Sequence, residues 1–160
     1  MKSILFCGIG GQGVLKASEI CGVAAMLDNY HVKKSEVHGM AQRGGSVESH
    51  LRFGDEVHSP LIKPGECDFL VCFHADEEKR LRHFLTSKGT SFGPFLDHFE
   101  KTGIDRMFLN TYFLGILSAF LPIKESSWLE ALSSEFTRAQ EKNREVFLEG
   151  AKFGKTKLST

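Results

Sequence analysis

Two glycine-rich segments hold the clearest chemical capacity in this chain of 160 residues. The first, Gly8-Ile9-Gly10-Gly11-Gln12-Gly13, is a GxGxxG pattern set directly after the apolar run Ile4-Leu5-Phe6-Cys7. Between a strand and a helix, the missing side chains let the chain turn tightly and bring backbone amides to the positive end of the helix, where a pyrophosphate is favoured. Gly8, Gly10, Gly11, Gln12 and Gly13 are therefore candidate cofactor-binding residues. A dinucleotide site also needs an acidic residue about twenty positions further on, at the end of the next strand, to hold the ribose hydroxyls. Lys33-Lys34-Ser35 fills that place. The lysines suit a 2′-phosphate, and Glu36 lies near enough to shift into position. A dinucleotide site and a tight turn used for packing and subunit contact both stay open.

The second segment, Ser35 to Val47, places an acid, an imidazole, a guanidinium and the glycines Gly39, Gly44 and Gly45 in one stretch that reads as a loop. Glu36, His38, Met40, Gln42, Arg43, Gly44, Gly45 and Ser46 are its candidate substrate or partner contacts. Beside Gly44-Gly45, Arg43 has room for bidentate contact with a carboxylate or phosphate, oriented by Glu36 or His38. The alternative is an internal Glu36–Arg43 pair that only stiffens the loop. No serine or cysteine sits in an elbow with a second supporting acid, so no catalytic residue is assigned. Cys7, Cys21, Cys67 and Cys72 have no CxxC spacing and lie in apolar segments. They are expected as buried, reduced hydrophobes, with no metal site on this chain.

The elements that must position these segments follow from periodicity. Ile4 to Cys7 reads as a buried parallel strand, and Val14, Ala17, Ile20, Cys21, Ala24 and Leu27 recur at helical spacing. Tyr30-His31-Val32 predicts the next strand. From Val47 to Phe53 the alternation is strict, with Glu48, His50 and Arg52 opposite Ser49, Leu51 and Phe53, which predicts a half-exposed antiparallel strand and a hairpin into Val57-His58-Ser59. Cys67 to Phe73 predicts a central strand, and Glu77 to His83 a short surface helix. Thr86 to Pro94, where a doubly wound sheet needs an apolar strand, takes no assignment. Met107 to Leu121 predicts a buried element, most simply a helix that starts near Asn110 and is capped by it, and Ser127-Trp128-Leu129-Glu130 a capping box for a helix from Trp128 to Phe136. A last helix, Ala139 to Phe153, carries Asn143, Phe147 and Gly150 on one stripe. The expected fold is one α/β, Rossmann-like three-layer domain over 1–153, mostly parallel with an antiparallel hairpin and C-terminal helices, followed by a flexible tail at 154–160.

Twenty basic residues balance twenty acidic ones, so no excess charge attracts nucleic acid or an anionic membrane. Gly8 to Gly13 interrupts the first apolar run before a signal-peptide core is complete, and no stretch reaches bilayer-spanning length. The expectation is a cytoplasmic protein.

The GxGGQG turn, the stretch SEVHGMAQRGGSV and Ser59-Pro60-Leu61-Ile62 together resemble the gamma subunit or domain of 2-oxoacid:ferredoxin oxidoreductases. The His38-Gly39-Met40 wording resembles the small subunit of the indolepyruvate branch. The likeness continues through Cys67-Asp68, Asn110, Leu114-Gly115, Asn143, Phe147 and Gly150, and departs at 86–98, where relatives carry a longer segment with an apolar strand. The resemblance implies a complex that decarboxylates a 2-oxoacid on thiamine diphosphate, passes electrons through iron–sulfur clusters to ferredoxin and releases an acyl-CoA. Thiamine diphosphate, Mg, the clusters and CoA would come through other subunits, with no cofactor assigned to this chain. Its implied partners are a large thiamine-diphosphate/iron–sulfur subunit and, through the complex, ferredoxin; isolated, it is expected as a homodimer without activity. From the residues alone, a stand-alone NAD(P)-, CoA- or nucleotide-binding protein stays open.

Overall fold

The computed structural model describes residues 1–38 and 45–158. The strands are β1 (Lys2–Ile9), β2 (His31–His38), β3 (Ser46–Gly54), β4 (Cys67–Cys72) and β5 (Leu85–Ser91). The helices are α1 (Val14–Leu27), α2 (Ala75–Leu81), α3 (Phe95–Thr102), α4 (Leu109–Phe120), α5 (Glu125–Glu135) and α6 (Gln140–Leu158). The sheet order is β2-β3-β1-β4-β5. β1 pairs in parallel with β4 and β4 with β5, whereas β3 runs antiparallel to both β1 and β2. Four strands thus point one way and β3 alone points back, so the expected α/β class holds.

β1 is central, and its side chains alternate between two hydrophobic layers. Ile4 and Phe6, with Phe69 and Val71 of β4 and Leu51 and Phe53 of β3, face the thick layer made by α1, α4, α5 and α6. Leu5 and Cys7, with Leu70 and Cys72, face a thinner layer closed by Ile62 and by Leu81 of α2. Because α1 and α2 leave neighbouring strands for opposite faces, the C-terminal ends of β1 and β4 frame a crevice, the place where open α/β sheets hold ligands.

Several local expectations change. β2 extends to His38, so Ser35 to His38 is strand, and the antiparallel partners of β3 are β1 and β2 rather than Val57-His58-Ser59, which forms no strand. β3 is buried on both faces through its middle, since Glu48 and His50 are buried as well as Ser49 and Leu51. β5 fills the unassigned stretch: an edge strand needs no apolar run, and Phe92 just beyond it supplies the buried anchor. Ser127 lies inside α5, N-capped at Lys124, and its hydroxyl bonds Asp28 instead of a first-turn amide. α6 continues past the expected end at 153 to Leu158, with Gly154 buried, so the predicted tail is helical through residue 158. Cys7 and Cys72 face each other in register across β1 and β4 and form a disulfide with a Cα–Cα separation of 4.6 Å. Only Cys21 and Cys67 are the buried free thiols that were expected of all four.

The stripe of Asn143, Phe147 and Gly150 packs on α4. Asn143 accepts a hydrogen bond from the Thr111 hydroxyl at 2.8 Å. At the crossing the backbones themselves touch: a Cβ on Gly150 would stand 2.2 Å from the Tyr112 carbonyl oxygen, and one on Gly115 would stand 2.1 Å from that of Phe147. Gly150→Val is expected to lower unfolding free energy by roughly 3 kcal/mol, the upper range for overpacking. Urea denaturation reads this, and an unchanged midpoint would show that α4 and α6 separate at little cost.

Candidate functional site

The glycine turn closes β1 and opens α1 at the crevice. Gly11 and Gly13 have φ of 92° and 77°, values that favour glycine. Gln12 bonds the ends of two strands. Its Oε1 accepts the Ile9 amide proton at 2.9 Å while its Nε2 donates to the Phe73 carbonyl, also at 2.9 Å, so the side chain staples the end of β1 to the end of β4. α1 has no side-chain cap and no acidic residue in its first turn, which leaves the positive end of its dipole uncompensated.

The second segment reaches this turn through β3. Gly10 donates its amide proton to the Gly45 carbonyl at 2.9 Å, and Ile9 pairs with Ser46. The two candidate loops therefore meet. Gly39, Met40, Ala41, Gln42, Arg43 and Gly44 lie outside the described residues, as does the proposed Glu36–Arg43 pair. Within β2, Glu36 pairs with Lys34, whose ammonium also meets Glu19.

Ser46 turns its hydroxyl inward to Glu77 Oε1 at 2.5 Å. The other oxygen of Glu77 accepts from Arg80 Nε at 2.8 Å, and Arg80 Nη2 reaches Glu48 Oε2 at 2.9 Å. His50 completes the chain. Its Nδ1 accepts the Ile62 amide proton at 3.3 Å, which leaves Nε2 to donate to Glu48 at 3.1 Å. The bond from His50, then Arg80, holds Glu48 below the usual carboxylate range although burial opposes this. A second pair locks the far side of α2, where Arg82 grips Glu78 with two nitrogens and the Ser91 hydroxyl donates to the same carboxylate. Arg82 and Ser91 lower the Glu78 pKa in turn.

Across the turn lies an open cleft of about 330 Å³ lined by Gly11, Gln12, Gly13, Arg106, Met107, Leu109 and Asn110. Asn110, expected as a helix cap, instead directs Nδ2 at the Gly13 carbonyl, 3.4 Å away. Arg106 puts a guanidinium on the rim, tied to Glu100 at 3.4 Å and largely exposed. This geometry suits an anion held by turn amides and a cation. It suits a dinucleotide less well: β3 separates β2 from β1, so the end of β2 stands about 10 Å from β1, two strand spacings instead of one. Sequence reasoning missed Arg106, Glu77 and Arg80. Nothing in a linear pattern ties residue 106 to residue 13, and Glu77 and Arg80 read there as a solvated helix face.

Gly13→Ala is expected to cost roughly 1–2 kcal/mol, because alanine would be strained at this positive φ and its Cβ would crowd Asn110. A denaturation midpoint equal to wild type would contradict this. The lowered carboxylates set a pH dependence of known sign. Their contribution is complete above the unfolded value of about 4.3 and drains as pH falls through the lower folded values. Urea unfolding at stepped pH should show Glu48→Gln less stable than wild type at neutral pH and less steeply destabilised below about pH 4.3.

The profile of the pyruvate ferredoxin/flavodoxin oxidoreductase family matches residues 3–93. That span holds both loops, the whole sheet and α2. The chain is 50% identical over 78 residues to indolepyruvate oxidoreductase subunit IorB of Methanothermobacter thermautotrophicus, covering 49% of this chain and 39% of that protein. The Pyrococcus horikoshii IorB is 40% identical over 90 residues, covering 56% and 45%. The chain thus spans less than half the length of these curated relatives. The gamma subunit of a keto/oxoacid ferredoxin oxidoreductase from Geobacter sulfurreducens superposes with a TM-score of 0.78 at 22% identity, covering 98% of this chain and 99% of that one, a likeness of fold. With more than half of its residues matched by the profile, the glycine turn and the second loop included, this chain belongs to the pyruvate ferredoxin/flavodoxin oxidoreductase family.

Proposed function

We propose that this chain is the accessory, gamma-type subunit of a 2-oxoacid:ferredoxin oxidoreductase of the indolepyruvate, or arylpyruvate, type. The observation that carries the reading is the junction of the two loops: the Gly10–Gly45 hydrogen bond joins an anion-compatible turn to the base of the segment whose wording resembles that branch. The names of the relatives support the same substrate class.

In this reading thiamine diphosphate, Mg and the iron–sulfur clusters reside in a large partner subunit. The cysteines described here suit cluster ligation poorly. Cys7 and Cys72 are joined to each other, and burial pushes the Cys67 thiol up to about 12 and that of Cys21 higher still. What this chain contributes is a shaped surface. The glycine turn and Arg106 hold an anionic group of the 2-oxoacid or of coenzyme A, and the 36–46 segment, Arg43 included, faces the large subunit. Ferredoxin is engaged through the complex.

Omitting this chain from the large subunit should abolish arylpyruvate-dependent ferredoxin reduction, and adding it back should restore the rate. Reduction that proceeds equally well without it would overturn the proposal. Arg43→Ala should leave the circular dichroism and melting temperature of the isolated chain unchanged while lowering the rate of the reconstituted complex, since a residue that serves a partner face adds little to a core.

A further inference from the structure

The hydroxyl of Ser46, a candidate substrate or partner contact, donates to Glu77. The chain that begins there is unusual for its depth. The side chains of Glu48 and Glu77 are 11% and 10% exposed, and a single guanidinium, that of Arg80, serves both. Taking two carboxylates out of water is costly unless their oxygens are well bonded, and removing their shared cation would leave an uncompensated buried charge. A surface helix with a solvated carboxylate would serve the core equally well at less cost. The arrangement does have a consequence for geometry. Each oxygen of both carboxylates has a partner: Ser46 and Arg80 on Glu77, Arg80 and His50 on Glu48. His50 then holds the Ile62 amide, so one connected path joins α2, the return of the second loop into β3, and the 55–66 segment that covers the thin layer of the sheet.

We infer that Arg80 is a positioning residue. Through Glu77 and Ser46 it fixes the start of β3, where the second segment returns to the sheet, and so acts on that segment's fit to its protein partner through these two residues. The inference rests on the proposed role of the loop as the face toward the large subunit. It assigns to α2 a task distinct from packing: Leu81 packs the helix, whereas Glu77 and Arg80 hold the loop base. The neighbouring Arg82–Glu78–Ser91 cluster has the same chemistry but points to the exit of β5, so it serves as an internal control.

The test has two arms. In the isolated chain, hydrogen–deuterium exchange at Gly45, Ser46 and Val47 is compared for wild type, Ser46→Ala, Arg80→Ala and Arg82→Ala. In the complex, calorimetric titration with the large subunit reads affinity. Ser46→Ala and Arg80→Ala should each speed exchange at the loop base and weaken partner affinity about tenfold, the loss of one charge-assisted hydrogen bond. Combined, the two changes should cost no more affinity than Arg80→Ala alone, because they cut the same path. Arg82→Ala should change neither readout. Arg80→Lys should retain part of the affinity that Arg80→Ala loses. Unchanged exchange at Gly45 to Val47 in Arg80→Ala, additive affinity losses in the double variant, or an equal affinity loss in Arg82→Ala would each overturn the inference. If the wild-type chain fails to bind a large subunit at all, the proposed function falls, while the exchange arm still decides whether Arg80 fixes the loop base.

Discussion

The structure depends on β3 running antiparallel between β1 and β2. Its ladder with β1 is unbroken from Lys2–Phe53 to Ile9–Ser46, and its ladder with β2 runs from His31–Gly54 to His38–Val47. A strand that enters at the C-terminal end of β1 must bring its preceding loop to that end. This is why Gly45 lies against Gly10, and why two segments about 30 positions apart in the chain meet. The same insertion moves the end of β2 away from the turn, where a dinucleotide fold would need it. One topological choice thus joins the two loops and disfavours the nicotinamide reading.

Around this strand the two faces of the sheet are closed by different chemistry. The thick face is apolar: Leu51 and Phe53 of β3 join α1 and the α4–α6 pair, which lock by close backbone approach. Each large side chain fully withdrawn from water there is worth about 1.5–3 kcal/mol. The thin face carries Glu48 and His50 at the positions opposite Leu51, and these are satisfied by Arg80 and the Ile62 amide instead of by oil. A strand with polar residues on one face is expected to show that face to solvent. Here a short helix and a coil fold over it, and the buried charges are tolerated because every carboxylate oxygen has a donor.

Local pattern and tertiary placement account for different parts of what was legible. The β1–α1 opening, the core positions of β3 and the Asn143–Phe147–Gly150 stripe are short-range features, and periodicity of two or of 3.6 reveals them directly. β5 escaped because an edge strand can be polar. Asn110 and Ser127 were assigned to caps because their residue types favour caps, but each was drawn to a partner distant in sequence, Gly13 and Asp28 respectively. The Cys7–Cys72 link, 65 residues apart in the chain, follows only from the β1–β4 register.

By itself the sequence determined that the chain is an α/β protein, that a glycine turn joins its first strand to its first helix, and that its two loops carry the wording of one family. These properties reside in residue types and near-neighbour spacing. Only the tertiary structure decided that Gln12 staples two strands, that Arg106 overlooks the turn, and that the Ser46 hydroxyl bonds Glu77. The reason is physical: hydrogen-bond partners and electrostatic neighbours are fixed by sheet order and helix placement, and sheet order here depends on the insertion of β3 between β1 and β2, which no local pattern encodes.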